Sequence, residues 1–172
     1  MTADVESAEQ MTQKTSLLGE HPGGWDVRLT SEFHMTGDAD IYRAKPSSGT
    51  LPLFEGKMIN QFTASFSKPR YWVRIKEGRR RSIGSAIDAG QRIDSDCYRA
   101  CFRSVASSTN ERTMISAILP PCFFGHSLSA VRVTDGDGNQ IVSEQVQIFL
   151  CAIWNSFAVD YLIRSKVTTN IT

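Results

Sequence analysis

The densest chemical signal in the chain is the run KPRYWVRIKEGRRR, in which Lys68, Arg70, Arg74, Lys76, Arg79, Arg80 and Arg81 meet one acid, Glu77. Tyr71 and Trp72 are interleaved with these cations. Lys and Arg neutralise phosphates and release condensed counterions, the main source of sequence-independent DNA affinity, and Arg also reads guanine edges through paired hydrogen bonds. Aromatic rings add stacking on a base that is unstacked or flipped. A charge run of this kind is also what a solvated loop or strand face looks like, so the residues by themselves leave both readings open. A second basic set, Arg99, Arg103 and Arg112, accompanies Ser108, Thr109, Asn110 and Thr113, small polar groups suited to phosphates or base edges. The bland reading of SSTNERT is an ordinary exposed turn.

Glu55-Gly56-Lys57 supports a rival chemistry. An Asp upstream of Glu-x-Lys can hold Mg²⁺ through its carboxylates while the Lys steadies the attacking water, as in many nucleases, with Asp38 or Asp40 as the upstream acid. The triplet is short and recurs by chance. Other chemistries lack their residues. DGDGN starts like a calcium loop, but its sixth position is Gln140 rather than Gly and its twelfth is Val146 rather than Glu. His21, His34 and His126 are scattered, no Ser or Cys sits in a Gly-x-Ser-x-Gly elbow, and the Cys97/Cys101 pair has no second Cys or His pair for zinc. Cys97, Cys101, Cys122 and Cys151 read as small buried hydrophobes in a reducing compartment. No Gly-rich loop follows a strand, and no Asn/Asp-Pro-Pro-aromatic stretch is present for an adenine amino group. The sequence therefore assigns no catalytic residue, no metal site and no cofactor to this chain.

These side chains need a scaffold, and the 172 residues, 41% hydrophobic and 22% charged, match a globular chain with one core. The net charge of +1 leaves any attraction for an anionic partner to local clustering. Residues 1–24 are expected to form a flexible polar leader, broken by His21-Pro22-Gly23-Gly24, with the ordered domain over 25–172. WDVRLTSEFHM reads as a strand and LPLFEGKMINQF as an interrupted one. In YWVRIK, Tyr71, Val73 and Ile75 alternate with Trp72, Arg74 and Lys76, the period of a strand with one basic face. SAIDAGQRI fits a short helix. YRACFRSVA alternates as a strand, and MISAILPP reads as a buried strand stopped by Pro120 and Pro121. EQVQIFLCAIWNSFAVDYLIR predicts one long helix with Ser143 as N-cap, placing Val146, Leu150, Ile153, Phe157 and Tyr161 on one face. The expected class is α+β or mixed α/β: a single domain with several mixed strands and a long C-terminal helix. The polar amino terminus lacks a secretory pattern, and the apolar stretch Ile148 to Val159 falls short of the roughly 20 residues that cross a bilayer. The expectation is a cytoplasmic protein without a membrane partner.

At LPLFEGKMINQF the sequence resembles a known family. With GWDVRLTSEFHMT before it, YRACFRSVASSTNERTMISAILPP after it and LCAIWNSFAVDYLIRSK near the end, the chain is similar to the target-recognition region of type IIG restriction-modification enzymes and related adenine-specific DNA methyltransferases. The same region occurs in phage-defence (BREX-like) methylases. The likeness spans roughly Trp25 to Lys166. It implies that this chain chooses a sequence in double-stranded DNA for a methyltransferase domain or subunit that methylates adenine N6. S-adenosylmethionine and Mg²⁺ are expected in that catalytic part rather than here. It also implies a continuation past IRSKVTTNIT, so that the domain over 25–172 would be incomplete at its C-terminal end. The resemblance gives Phe54, Phe62, Ile118, Leu119 and the Asn155-Ser156-Phe157 helix to the scaffold, and Lys57 and Arg112 to the DNA backbone. Patch and resemblance together assign DNA contact to Lys57, Lys68, Arg70, Tyr71, Trp72, Arg74, Lys76, Arg79, Arg80, Arg81, Arg103, Arg112 and Thr113. Two alternatives stand beside this reading: a Mg²⁺-dependent nuclease using Asp40, Glu55 and Lys57, and a subunit-docking module built on the apolar terminal helix.

Overall fold

The computed structural model describes residue 10, residues 27–167 and residues 170–171. The expected leader, apart from Gln10, and the expected domain start at Trp25 lie outside the described residues. Among those described, the strands form two four-stranded sheets. In the first, β1 (Leu29–Thr30), β8 (Leu128–Val131), β5 (Arg99–Arg103) and β6 (Ser116–Leu119) lie side by side in that order, all antiparallel. In the second, the order is β2 (Tyr42–Arg43), β4 (Tyr71–Arg74), β3 (Thr50–Phe54) and β7 (Phe123–Phe124), with β7 parallel to β3 and the other pairs antiparallel. With helices α1 (Ile75–Ile83), α2 (Glu144–Trp154) and α3 (Phe157–Lys166), this is a mixed α+β domain, as the sequence predicts.

Pro120 and Pro121 cannot donate to a ladder, so β6 stops at Leu119. The chain crosses to the second sheet as β7 and returns through Gly125 to the first as β8. This double crossing joins the sheets through one core, in which Phe54 and Phe124 meet Cys101, Leu119 and Leu128. All four cysteines are buried and free. Burial pushes the Cys122 thiol up to about 12, so it behaves as a small hydrophobe rather than a nucleophile.

Three local expectations change. The alternation in YWVRIK holds only through Arg74. Tyr71 and Val73 join the cluster around Phe33, Leu53 and Phe123, and at Ile75 the chain turns into α1. The helix is set down at Gly78, where an added Cβ would lie 2.3 Å from the Phe123 ring. Residues 85–93 form no helix; α1 ends at Gly84, whose φ of +66 stops it in the left-handed region.

The predicted long helix is a pair bent by 65° at Asn155 and Ser156. The buried Asn155 amide accepts from Ser116 N–H at 3.1 Å and donates to Ser116 O at 2.9 Å, tying the end of α2 to the backbone of β6. Ser156 then caps a new helix by accepting from Val159 N–H. The expected apolar stripe is therefore interrupted. Leu150 is buried and Val146 packs beside it, whereas Ile153, Phe157 and Tyr161 are exposed.

Candidate nucleic-acid interface

The basic run is presented by the second sheet and α1, and its ion pairs divide it into two groups. In the first group one carboxylate serves two cations. Glu55 pairs with Lys57 and Arg70, each at 3.3 Å, and its side chain is 12% exposed against 55% and 53% for its partners. Glu77 likewise receives Arg43 at 3.0 Å and Arg74 at 3.4 Å. Each shared acid leaves one positive charge uncompensated, and Lys57, Arg70 and Arg74 are the outer members of their pairs. The side chains of Lys68, Lys76 and Arg80 are exposed, with no hydrogen bond or ion pair among the described residues. Arg80 joins Arg43 at a cleft of about 650 Å³ opposite Asp40 and Glu77.

In the second group the ratio is reversed. Arg79 binds Asp88 at 3.0 Å and Asp96 at 2.9 Å, and also donates to Gln91 O at 2.8 Å. Its hydrogen bond with Asp88 raises the guanidinium pKa further above its usual value. Arg81 binds Asp38 at 2.6 Å and Asp40 at 3.0 Å. Arg79 ties the loop after α1 to the helix and Arg81 ties the 38–40 segment to it, so both are engaged by acids of the fold, Arg79 with 15% of its side chain exposed and Arg81 with 42%.

The aromatic members differ too. Tyr71 stacks on Tyr42 with ring centroids 5.7 Å apart and carries the Arg70 guanidinium 4.5 Å above its ring. Burial pushes the Tyr42 phenol up to about 12. Trp72 lies on the opposite side of β4, half-buried, between Arg43 of β2 and Pro52 of β3.

The second basic set turns inward, which corrects its reading as a surface. Arg99 is fully buried, paired with Glu32 and donating to Cys122 O at 2.6 Å. Burial pushes the Glu32 carboxyl up, against the opposing pull of Arg99. Arg103 donates to Ile59 O beneath the β3 to β4 connection. Arg112 donates to Asn155 O at 2.6 Å and stacks 4.4 Å over Phe157. Thr113 is buried: its N–H donates to Asp160 at 2.7 Å and its hydroxyl to Ser107 O. Arg112 and Thr113 are committed to the fold because the polar loop 107–113 packs against the break between α2 and α3.

The acids invoked for Mg²⁺ are dispersed among arginines and a lysine. Asp40 faces Arg81, and Glu55 faces Lys57 and Arg70. Among the described residues no group of three or more His, Cys, Asp or Glu side chains comes together.

One feature escaped sequence reasoning. Phe62, assigned to the scaffold, is 66% exposed, and Phe66 is 59% exposed on the same loop beside Lys57 and Lys68. The signal available was their spacing in NQFTASFSK, where polar or small neighbours surround each ring.

No protein-family model matches the chain, and no curated protein is significantly similar to it. Likeness to restriction-modification recognition regions therefore rests on the segments quoted above. Among the described residues no single helix is long and apolar enough to cross a membrane.

Proposed function

We propose that this chain is a recognition domain for duplex DNA, acting for a separate adenine N6 methyltransferase domain or subunit in the cytoplasm. The observation that carries the reading is the sharing of Glu55 and Glu77 by two cations each, beside Lys68, Lys76 and Arg80, whose side chains have no partner among the described residues. Such a surface keeps a positive field after every ion pair among the described residues is formed, and phosphates are the partner that field attracts over distance. Lys57, Lys68, Arg70, Arg74, Lys76 and Arg80 contact the backbone or base edges. Tyr71 supports Arg70, and Trp72 lies beside Arg43 on the other side of β4. The resemblance supplies the methyltransferase context. S-adenosylmethionine belongs to the partner.

The test is duplex binding across a salt series. The reading expects log affinity to fall linearly with log salt, and the slope to shrink by about 0.9 for each phosphate-contacting cation replaced by Ala. Affinity indifferent to salt, or unchanged in a Lys68→Ala, Lys76→Ala, Arg80→Ala triple variant, overturns it.

The exposed Ile148, Ile153 and Phe157 favour a second role for the helix pair, docking on that catalytic partner. Co-purification with a methyltransferase subunit, lost on Ile148→Asp, tests this role.

A further inference from the structure

Among the described residues Phe62 is the one non-glycine residue at positive φ, 60°. A phenylalanine is disfavoured there because its Cβ crowds the backbone. Its ring is two-thirds exposed, so hydrophobic burial does not offset the strain. The position is nevertheless held firmly. Asn60 and Thr63 exchange backbone hydrogen bonds at 2.8 and 3.0 Å across the turn, and Phe62 N–H donates to Ser116 O at 2.9 Å. The fold anchors a strained turn whose ring contributes little to it.

Further along the same loop the chain runs beside cations of the first group. Phe66 N–H donates to Met58 O at 3.0 Å and the Ser67 hydroxyl to Lys57 O at 3.2 Å, which lays the loop along Lys57. Arg70 shares Glu55 with Lys57, and Lys68 follows Ser67 without a side-chain partner among the described residues. Two exposed phenyl rings and three exposed cations are thus carried by this loop and the residues beside it. A purely apolar partner would have no use for the cations, and a phosphate surface alone no use for the rings. A DNA base step needs both, because an inserted apolar side chain unstacks neighbouring bases while cations hold the flanking phosphates.

Building on the DNA-recognition reading, we propose that the loop 60–68 is a wedge that inserts Phe62 into a base step, with Phe66 beside it and Lys57, Lys68 and Arg70 on the phosphates. The wedge sets where the duplex opens, whereas the cations set how tightly it is held.

The experiment uses the full chain and two duplexes of one sequence, one fully paired and one with a central single-nucleotide bulge, each carrying 2-aminopurine beside the centre. The native chain is expected to bind the bulged duplex about tenfold more tightly, the scale of one base–aromatic stack, and to raise its fluorescence. Phe62→Gly relieves the backbone, so its thermal midpoint should rise while the salt slope is kept and both the bulge preference and the fluorescence rise disappear. Equal binding of the two duplexes by the native chain overturns the wedge, as does a Phe62→Gly chain that keeps the preference or melts earlier. Salt-dependent binding without bulge preference removes the wedge alone. No duplex binding at all removes the DNA reading and the wedge with it.

Discussion

Arg99 and Glu32 form an ion pair inside the core, with the Arg99 side chain at 0% exposure and Glu32 at 9%. The guanidinium also lies 4.7 Å over the Phe124 ring, and the second Glu32 oxygen accepts from Phe124 N–H at 2.9 Å. One pair therefore links the segment before the second sheet to β5 and β7. Removing one member leaves a buried charge without its counterion. Arg99→Met should lower stability by about 3–5 kcal/mol, read from denaturant unfolding. Arg99→Met with Glu32→Gln should recover part of that loss. A single variant within 1 kcal/mol of the native chain, on the order of a surface pair, would show that the pair is not buried in solution.

Asp160 gives the fold a pH dependence. Burial works against its charge, yet the N–H groups of Met114 and Thr113, then Arg164 and Arg112, more than compensate and hold its carboxyl below the usual range. A depressed carboxyl contributes stability that is present above the unfolded value of about 3.9 and is lost as pH falls through the lower folded value. Asp160→Asn should therefore lower the urea midpoint at pH 7, and the gap from the native chain should narrow below about pH 4. A gap that is constant with pH would remove the carboxylate from this role.

At Gly78 two effects compete. Alanine gains about 1 kcal/mol of helix propensity over glycine, but its Cβ would sit 2.3 Å from the buried Phe123 ring. Overpacking of this kind costs about 1–3 kcal/mol, and Phe123 is enclosed by its core cluster and cannot swing away. Gly78→Ala should melt earlier than the native chain by calorimetry. A raised midpoint would mean that α1 can lift off β7 freely.

Neighbouring cations in the basic run should behave oppositely. Arg79→Ala and Arg81→Ala each release two carboxylates, so thermal stability should fall. Lys76→Ala and Arg80→Ala remove exposed cations whose side chains have no partner among the described residues, and surface changes of that kind stay within about 0.5 kcal/mol while DNA affinity drops. Melting curves and binding isotherms on the same four variants separate the two classes.

Much of this was legible along the chain because it depends on local order. The period-2 runs produced β4 and β5, the proline pair ended β6, and Ser143 capped α2 by accepting from Val146 N–H. Which cations face outward was not legible, since an arginine's role depends on the acids that distant loops bring to it. Arg79 and Arg80 are adjacent, yet a helix turns them about 100° apart, one towards Asp88 and Asp96 and the other to solvent. The helix break had the same origin. Residues 144–164 carry a continuous helical pattern, and only the approach of β6 gives the Asn155 amide a better partner than the helix itself.

By itself the sequence determined the class of fold, the main strands, the burial of the cysteines and the location of the basic run, because periodicity and residue type act over a few neighbours. Tertiary structure alone decided that Arg99, Arg112 and Thr113 belong to the fold, that Glu55 and Glu77 are each shared by two cations, and that Phe62 stands in solvent on a strained turn. Charge pairing and burial are set by residues far apart in the chain, and their partners exist only once the two sheets have closed on a common core.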